Sequence, residues 1–312
     1  MTDHLVDTHV MFDSDHALVT GGAGFIGSHL ADRLVNDCTV TVYDDLSTGS
    51  RDNVPEDAAF IHADIRDAET LRDAVNDADV VFHEAAQVSV QRSVDDPQAS
   101  HEVNIDPLLT ILEAVRGTDT RVVFASSAAI YGHPHSLPID EHHPKTPTSP
   151  YGLEKLTADH YCRLYHERYG VDAVALRYFN AYGPRQQGGN YSGVIGIFRD
   201  QARAGDDLTV EGDGTQTRDF VHVNDIVEAN LLAAATEEAA GEAFNIGTGN
   251  SISIRELAET IRDVTDSNAE IVYVDSRSGD INHSEADVSK ARDVLGFEPT
   301  YDVATGLDAY LG

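Results

Sequence analysis

The chain has 312 residues, of which 54 are Asp or Glu and 21 are Lys or Arg, giving a formal net charge of −33. That balance excludes a nucleic-acid binder and a protein held by charge on an anionic membrane, both of which need basic footprints. The length can bury a full core, either as one large α/β domain or as a domain with a smaller lobe.

Residues 1–14 are polar and aperiodic and read as a frayed extension, with Met11 a candidate alternative start. The chain then alternates short apolar runs with amphipathic segments, the pattern of a parallel sheet with crossover helices. A strand is expected at 16–20 and its helix at 25–36, with further strands at 39–43 and 59–62. A helix at 68–75 and a strand at 79–83 follow. One long helix is expected at 97–116, with Pro107 as a candidate kink. Residues 121–126 read as a strand, 151–169 as a helix and 171–177 as a sixth strand. From Asn180 the rhythm breaks. Residues 182–193 are rich in Gly, Pro, Gln and Asn and read as a loop. Helices at 194–204, 224–236 and 254–264 then mix with short strands near 208–211, 244–246 and 270–274.

Between the first strand and helix lies Thr20-Gly21-Gly22-Ala23-Gly24-Phe25-Ile26-Gly27. It satisfies both G-x-G-x-x-G and G-x-x-G-x-x-G. Such glycines allow a tight turn and let the backbone approach a pyrophosphate, whose charge then meets the helix N-terminus. Asp44 ends the second strand about 20 residues on, where an acid binds the adenosine ribose. Carboxylates at Asp44 and Asp45 repel a 2′-phosphate, so NAD is expected over NADP. Asp64 and Ile65 follow the third strand and read equally as an adenine border or a plain capping acid.

Tyr151-Gly152-Leu153-Glu154-Lys155 puts a phenol and an ammonium four residues apart, on one helix face. Ser149 reads as the N-cap and Pro150 as the first helical residue. A phenol is a poor base at neutral pH. The ammonium, the helix end and an oxidised nicotinamide would each stabilise its phenolate. Ser126 and Ser127 close the preceding strand, where a hydroxyl can bond both a substrate oxygen and the phenol.

These segments keep one order and spacing with His83-Glu84-Ala85-Ala86-Gln87, Asn104, the run 124–132, Arg177-Tyr178-Phe179-Asn180, the run 212–220 and Asp287-Val288-Ser289-Lys290. Together they resemble the extended short-chain dehydrogenase/reductases that act on nucleotide sugars, over nearly the whole chain from His16. The resemblance implies a Rossmann-type doubly wound parallel sheet in residues 1–179. A smaller α/β C-terminal substrate-binding lobe occupies 180–312, with some segments returning to the main sheet. It implies Tyr151 as acid/base, Lys155 on the nicotinamide ribose, and Ser127 assisting, with Ser126 the neighbouring candidate. The cofactor set it implies is Gly21, Gly24, Phe25, Ile26, Gly27, Asp44, Asp45, Asp64 and Ile65, with Ala85, Ala86, Gln87, Asn104, Tyr151, Lys155 and Tyr178. Asn180 and Arg218 would hold the substrate diphosphate, with Arg277 on the nucleotide. Arg suits phosphate because it bonds bidentately.

The family's reactions share a first step, in which the phenolate takes the sugar 4-OH proton while C4 gives hydride to NAD. Dehydratases and decarboxylases of this kind carry an acid just after the catalytic hydroxyl. Here Ala128 and Ala129 stand there, and the Cys of the fucose-synthase type is missing. The implied outcome is NAD-dependent 4-epimerisation of a UDP-hexose through a transient 4-keto sugar. Glu84, Asp106-Pro107 and Ala129 depart from the usual pattern. Ser284, a small residue at the position that gates the sugar pocket, implies room for an N-acetyl group. The rival readings are a 4-ketoreductase, decarboxylase or dehydratase of the same family, and a non-catalytic NAD-binding sensor. Sensors usually lose the Tyr or the Lys, and both are kept here.

The remaining features are less specific. His133, His135, His142 and His143 lie in a Pro-rich loop whose spacing fits no standard metal site. Tyr161, Tyr165 and Tyr169 read as packing or as a dimer face, and the resemblance implies a homodimer. Cys38 and Cys162 are too few for a disulfide framework. With no apolar run of about 18 residues and no signal segment, a cytoplasmic location is expected. The acid excess is spread over the chain, and Lys occurs only at Lys145, Lys155 and Lys290. That pattern reads as a folded protein of a very salty cytoplasm, where a Debye length of about 3 Å screens surface repulsion.

Overall fold

The computed structural model describes residues 14–186, 193–276 and 281–311. The extension expected at 1–14 falls outside that range except for Ser14, as do Arg277 and positions 187–192 of the expected loop.

The first strand, β1 (His16–Thr20), leads through the glycine-rich turn into α1 (Phe25–Leu34). Next come β2 (Thr39–Asp44), β3 (Ala59–His62), α2 (Ala68–Asn76) and β4 (Val80–His83). Three helices follow in succession, α3 (Val90–Asp95), α4 (Pro97–Asn104) and α5 (Asp106–Ala114). They lead to β5 (Arg121–Ser127), the 20-residue α6 (Pro150–Tyr169) and β6 (Ala173–Tyr178). The remainder runs β7 (Asn180–Tyr182), α7 (Val194–Ala204), β8 (Leu208–Glu211), β9 (Thr217–His222) and α8 (Val223–Ala235). It continues with β10 (Ala243–Ile246), β11 (Ser251–Ser253), α9 (Ile254–Val264), β12 (Ile271–Val274), α10 (Ser289–Leu295) and α11 (Val303–Leu311).

Seven strands form one parallel sheet in the order β10-β6-β5-β4-β1-β2-β3. The chain winds outward from β1 in both directions, so the order reverses between β1 and β4. A crevice opens there, at the carboxyl ends of the strands. Alternation along each strand serves both faces. Val19, Phe82 and Val123 pack with Leu30, Leu34, Ile226 and Leu231 from α1 and α8. Leu18, Val81 and Phe124 pack with Leu71, Leu108, Ile111 and Cys162 from α2, α5 and α6. Fully burying one such Leu or Phe contributes about 1.5–3 kcal/mol.

The expected long helix at 97–116 is a correction. It breaks at Ile105 (φ −116°, ψ −53°), and α5 restarts with Pro107 in its first turn. Pro107 has no N–H to give and its ring crowds the carbonyl four residues back, so the chain must restart there. The stretch ahead of α4, for which no element was expected, forms α3, capped by the Ser89 hydroxyl accepting from the Arg92 N–H.

The C-terminal segments build a smaller layer. β11, β9 and β7 make a three-stranded sheet, and β12 pairs in parallel with β8. Their core gathers Tyr182, Phe198, Leu208, Phe220, Leu257 and Ile261. β10 returns to the main sheet beside β6, as does α10 beneath it. Among the described residues no helix is long and apolar enough to cross a membrane.

Candidate active site

A cleft of about 580 Å³ runs along the carboxyl edge of the sheet at the switch between β1 and β4. Its wall takes Gly21, Gly24, Phe25, Ile26 and Gly27 from the turn into α1. The glycines are required by space. Gly21 sits at φ +70°, and a Cβ there would lie 2.7 Å from the Ala85 nitrogen; one on Gly27 would run into the Gly21 carbonyl. Gly24 caps α1 without a side-chain bond, so the first N–H groups of the helix face the cleft bare of any capping side chain.

Asp44 and Asp45 close the β2 end of the cleft, and Asp64 and Ile65 the β3 end. The Asp44 carboxylate accepts from the Ala23 N–H at 3.0 Å and the Leu46 N–H at 2.8 Å, tying the glycine turn to β2. Burial raises its pKa despite those bonds. Asp64 caps no helix, since the N-cap of α2 is Asp67. It is gripped by the Arg66 guanidinium, with Nη2 at 2.6 Å, which holds its carboxyl below the usual range.

Ala85, Ala86 and Gln87 follow β4 and line the same cleft. Asn104 lies behind them and off the wall. Its amide accepts from the Gln87 N–H at 2.9 Å and donates to the Gln87 carbonyl at 3.1 Å, and to Glu154 on α6 at 2.7 Å. It therefore pins the loop that borders the cleft. Tyr178 is likewise buried off the wall, with its hydroxyl donating to Glu84 at 2.8 Å.

α6 begins as its sequence dictates, with the Ser149 hydroxyl accepting from the Gly152 N–H at 3.1 Å and Pro150 in the first turn. A Cβ on Gly152 would sit 2.7 Å from the Ala129 carbonyl, so the start of α6 docks tightly on the turn after β5. The Tyr151 phenol lies near the Ser127 hydroxyl, which works to lower its pKa, and its N–H donates to Ser93 of α3 at 3.1 Å. Ser126 faces the other way, toward buried Asp159 at 3.4 Å. Of the two serines, only Ser127 meets the phenol; successive strand residues point to opposite faces.

Lys155 is buried, donating to the Ala125 carbonyl at 2.7 Å, with its ammonium 4.8 Å from the Phe124 ring centre. Burial brings it down to about 8, opposed by the carboxylates of Glu84 and Glu154. The expected depression of the Tyr151 phenol by Lys155 is not what dominates here. Burial raises the phenol above its ordinary value, and only the Ser127 bond pulls it back.

A second cleft, of about 520 Å³, lies against the smaller layer and shares Val88 with the first. Asn180 and Arg218 both line it, beside Glu211 and Gln216. Asn180 donates to the Asp219 carbonyl at 2.8 Å, and the Arg218 guanidinium to the Thr217 carbonyl at 2.8 Å. Ser284 is buried next to β9, its N–H donating to the Thr217 carbonyl at 3.1 Å, and lies off the cleft wall. Tyr151, Lys155 and Ser127 line neither cleft. Tyr151 sits where α3 meets the start of α6, Ser127 ends β5, and Lys155 lies against the Ala125 carbonyl.

Residues 17–247 match the family model described as the NAD dependent epimerase/dehydratase family. The chain belongs to this family. NAD is accordingly its cofactor, and the glycine turn, bare helix end and Asp44 fit that dinucleotide. A putative UDP-glucose 4-epimerase from Methanocaldococcus jannaschii is 42% identical over 295 residues, covering 93% of this chain and 95% of that protein. The solved UDP-glucose 4-epimerase of Thermotoga maritima, with UDP-glucose, superposes with a TM-score of 0.91 at 38% identity, covering 95% of this chain and 97% of that one. A UDP-N-acetylglucosamine 4-epimerase from Methanobrevibacter ruminantium M1, in complex with UDP-N-acetylmuramic acid, has a TM-score of 0.91 at 39% identity, covering 95% and 97%.

Three contributors to this family member's site were not found by reading the sequence. Ser93 lies in a helix too short for a periodic signal. Glu84 stood out only as a departure from pattern, although it lines the NAD cleft. Asn230, a polar residue inside the apolar run of α8, donates to the Tyr178 hydroxyl at 2.8 Å; its setting was the available clue. The histidines around Pro134 form no metal group, and among the described residues no cluster of His, Cys, Asp or Glu could hold one.

Proposed function

We propose that this family member interconverts UDP-hexoses at C4 through a transient 4-keto sugar, with NAD retained through the cycle. One observation carries the reading: a phenol–hydroxyl pair, Tyr151 and Ser127, stands beside the NAD cleft, and the turn after Ser127 continues with Ala128 and Ala129. An elimination or a decarboxylation needs a second acid there; turning a ketone over and reducing its other face does not.

In this reading Tyr151 takes the proton of the sugar 4-OH and later returns it, while Ser127 holds the same oxygen in line. NAD, when bound, supplies the hydride acceptor and gives the hydride back. Lys155 orients the nicotinamide ribose and adds the positive charge that a buried phenolate requires. Asn180 and Arg218 hold the diphosphate in the second cleft, with Arg277 near the nucleotide. Ser284 leaves space for an N-acetyl group. The cofactor set proposed from the sequence is kept, with Asn104 acting through Gln87 and Tyr178 through Glu84. Residues to about 179 form the cofactor lobe and the remainder chiefly the substrate lobe, with β10 and α10 returning to the first.

The proposal extends to assembly and setting. Leu153, Leu164 and Tyr169 leave α6 with exposed apolar surface, which supports a homodimer across that helix. The charge of −33 supports a cytoplasm rich in salt; the cooperative thermal transition is then lost when molar KCl is dialysed away, whereas an ordinary acidic enzyme keeps it. For the reaction itself, purified protein incubated with UDP-galactose in high salt and no added reductant should form UDP-glucose. Accumulation of a 4-keto-6-deoxy sugar, or release of CO2 and a UDP-pentose when a UDP-hexuronate is supplied instead, would overturn the assignment.

A further inference from the structure

Glu84 follows the last residue of β4 and lines the NAD cleft. Its carboxylate accepts from the Tyr178 hydroxyl at 2.8 Å, and Tyr178 ends β6. β4 and β6 flank β5 on either side, so the two side chains together span roughly 10 Å across the carboxyl end of the strand that carries Ser127. The bridge is anchored from beneath by Asn230 of α8, fully buried, which donates to the same phenol.

The order of strands says which end of the cofactor lies near this bridge. The glycine turn follows β1, and Asp44 and Asp64 follow β2 and β3, so the adenosine half occupies that side. The other half must run toward β4 and β5, where Tyr151 and Lys155 sit. Glu84 is therefore at the nicotinamide end.

The groups that face Glu84 are few. Lys155 reaches toward it from α6, Tyr178 from β6 and Asn230 from α8, while His83 precedes it on β4. His83 is kept neutral by burial, which brings it down to about 3, with its Nδ1 on the Thr20 hydroxyl at 2.8 Å. Burial pushes the Glu84 carboxyl up to about 7, against the Tyr178 bond and the Lys155 charge. A carboxyl poised this way changes state when a nearby charge changes by one, and the oxidised nicotinamide differs from the reduced by one positive charge.

We propose that Glu84, held across the end of β5 by Tyr178, is a positioning residue for the cofactor, ionised as counter-charge to the oxidised nicotinamide and taking a proton from solvent when the ring is reduced. The electrons move as hydride from sugar C4, the hydroxyl proton goes to Tyr151, and the Glu84 proton comes from water, so the balance needs no further reactant. The inference rests on the NAD-site reading above.

The test is competition between NAD and NADH for the full-length protein in high salt, read by the fluorescence of bound NADH. In the wild type the preference for NAD over NADH should rise by roughly tenfold from about pH 6 to about pH 8, the change that one unit of difference in acidity between the two cofactor states produces. Glu84→Gln should flatten that rise to less than about twofold while still binding NADH. Glu84→Asp should restore it. Tyr178→Phe removes a donor to the carboxylate and should move the midpoint to higher pH. An equally steep rise in Glu84→Gln, or an unmoved midpoint in Tyr178→Phe, overturns the inference while leaving the site reading intact. Failure of the wild type to bind either nucleotide overturns both.

Discussion

The two clefts of this molecule are made differently. The NAD cleft lies at the ends of parallel strands, where a glycine turn and a helix start occupy fixed places relative to the sheet. The second cleft is assembled from side chains on β7, β9, α7 and the segments near them, elements far apart in sequence and joined by loops. A site built from backbone geometry repeats wherever the topology repeats, whereas one built from converging side chains changes with each loop. The first cleft therefore fits the cofactor the chain takes, and in the proposed reading the second sets what it acts on.

The comparison can be broken first at Tyr151, which lines neither cleft. Tyr151→Phe should lower kcat about a thousandfold, within the range for loss of a general acid/base, while bound NAD stays at wild-type stoichiometry. If NAD is lost together with turnover, the phenol is needed to hold the cofactor as well as to move the proton, and its role as acid/base alone fails.

The next largest effect concerns the frame behind the site. Asp159 and Arg177 are both buried, with Nε 2.8 Å from the carboxylate. Removing Arg177 leaves the buried Asp159 carboxylate with only the partly exposed Arg163 at 3.2 Å and Ser126 at 3.4 Å, so Arg177→Ala should cost about 3 kcal/mol by denaturant unfolding. Burial works to raise Asp159, but the hydrogen bonds and charge of Arg177 outweigh it and hold the carboxyl below its usual range. A depressed acid adds stability that is present above the unfolded value of about 3.9 and is lost as pH falls through the folded one. The wild type should therefore lose stability below about pH 4 more steeply than the variant.

The smallest effect sharpens the comparison on the substrate side. Arg218→Ala should raise KM by about tenfold to a hundredfold, the worth of a charge-assisted bond of roughly 1.5–3 kcal/mol, with NAD affinity unchanged. Equal losses in KM and NAD affinity would mean that the clefts are not separate.

Much of the first cleft was legible because its signals are local. The run from Thr20 to Gly27 needs glycine for space, and Tyr151 and Lys155 share a helix face by spacing alone. The fold followed from alternating strands and helices for the same reason. What stayed hidden depends on contacts across the chain. Spacing could place Ser126 and Ser127 at a strand end but not say which one lies near the Tyr151 phenol and which one turns to Asp159. It could mark Pro107 but not set the break at Ile105. The side chain of Asn104 turns to Gln87 and Glu154, a choice made by α6, some 50 residues on. The bond from Tyr178 to Glu84 joins two strands that are not neighbours, and no local pattern encodes it.

The central claim is that the sugar's C4 hydrogen leaves as hydride and comes back to the same carbon. UDP-galactose carrying deuterium at C4, turned over in ordinary water with no added cofactor, tests this directly by mass spectrometry of the UDP-glucose formed. The account predicts that the product keeps its deuterium at C4. Wash-out of the label into solvent would show that C4 loses a proton instead, and would contradict it.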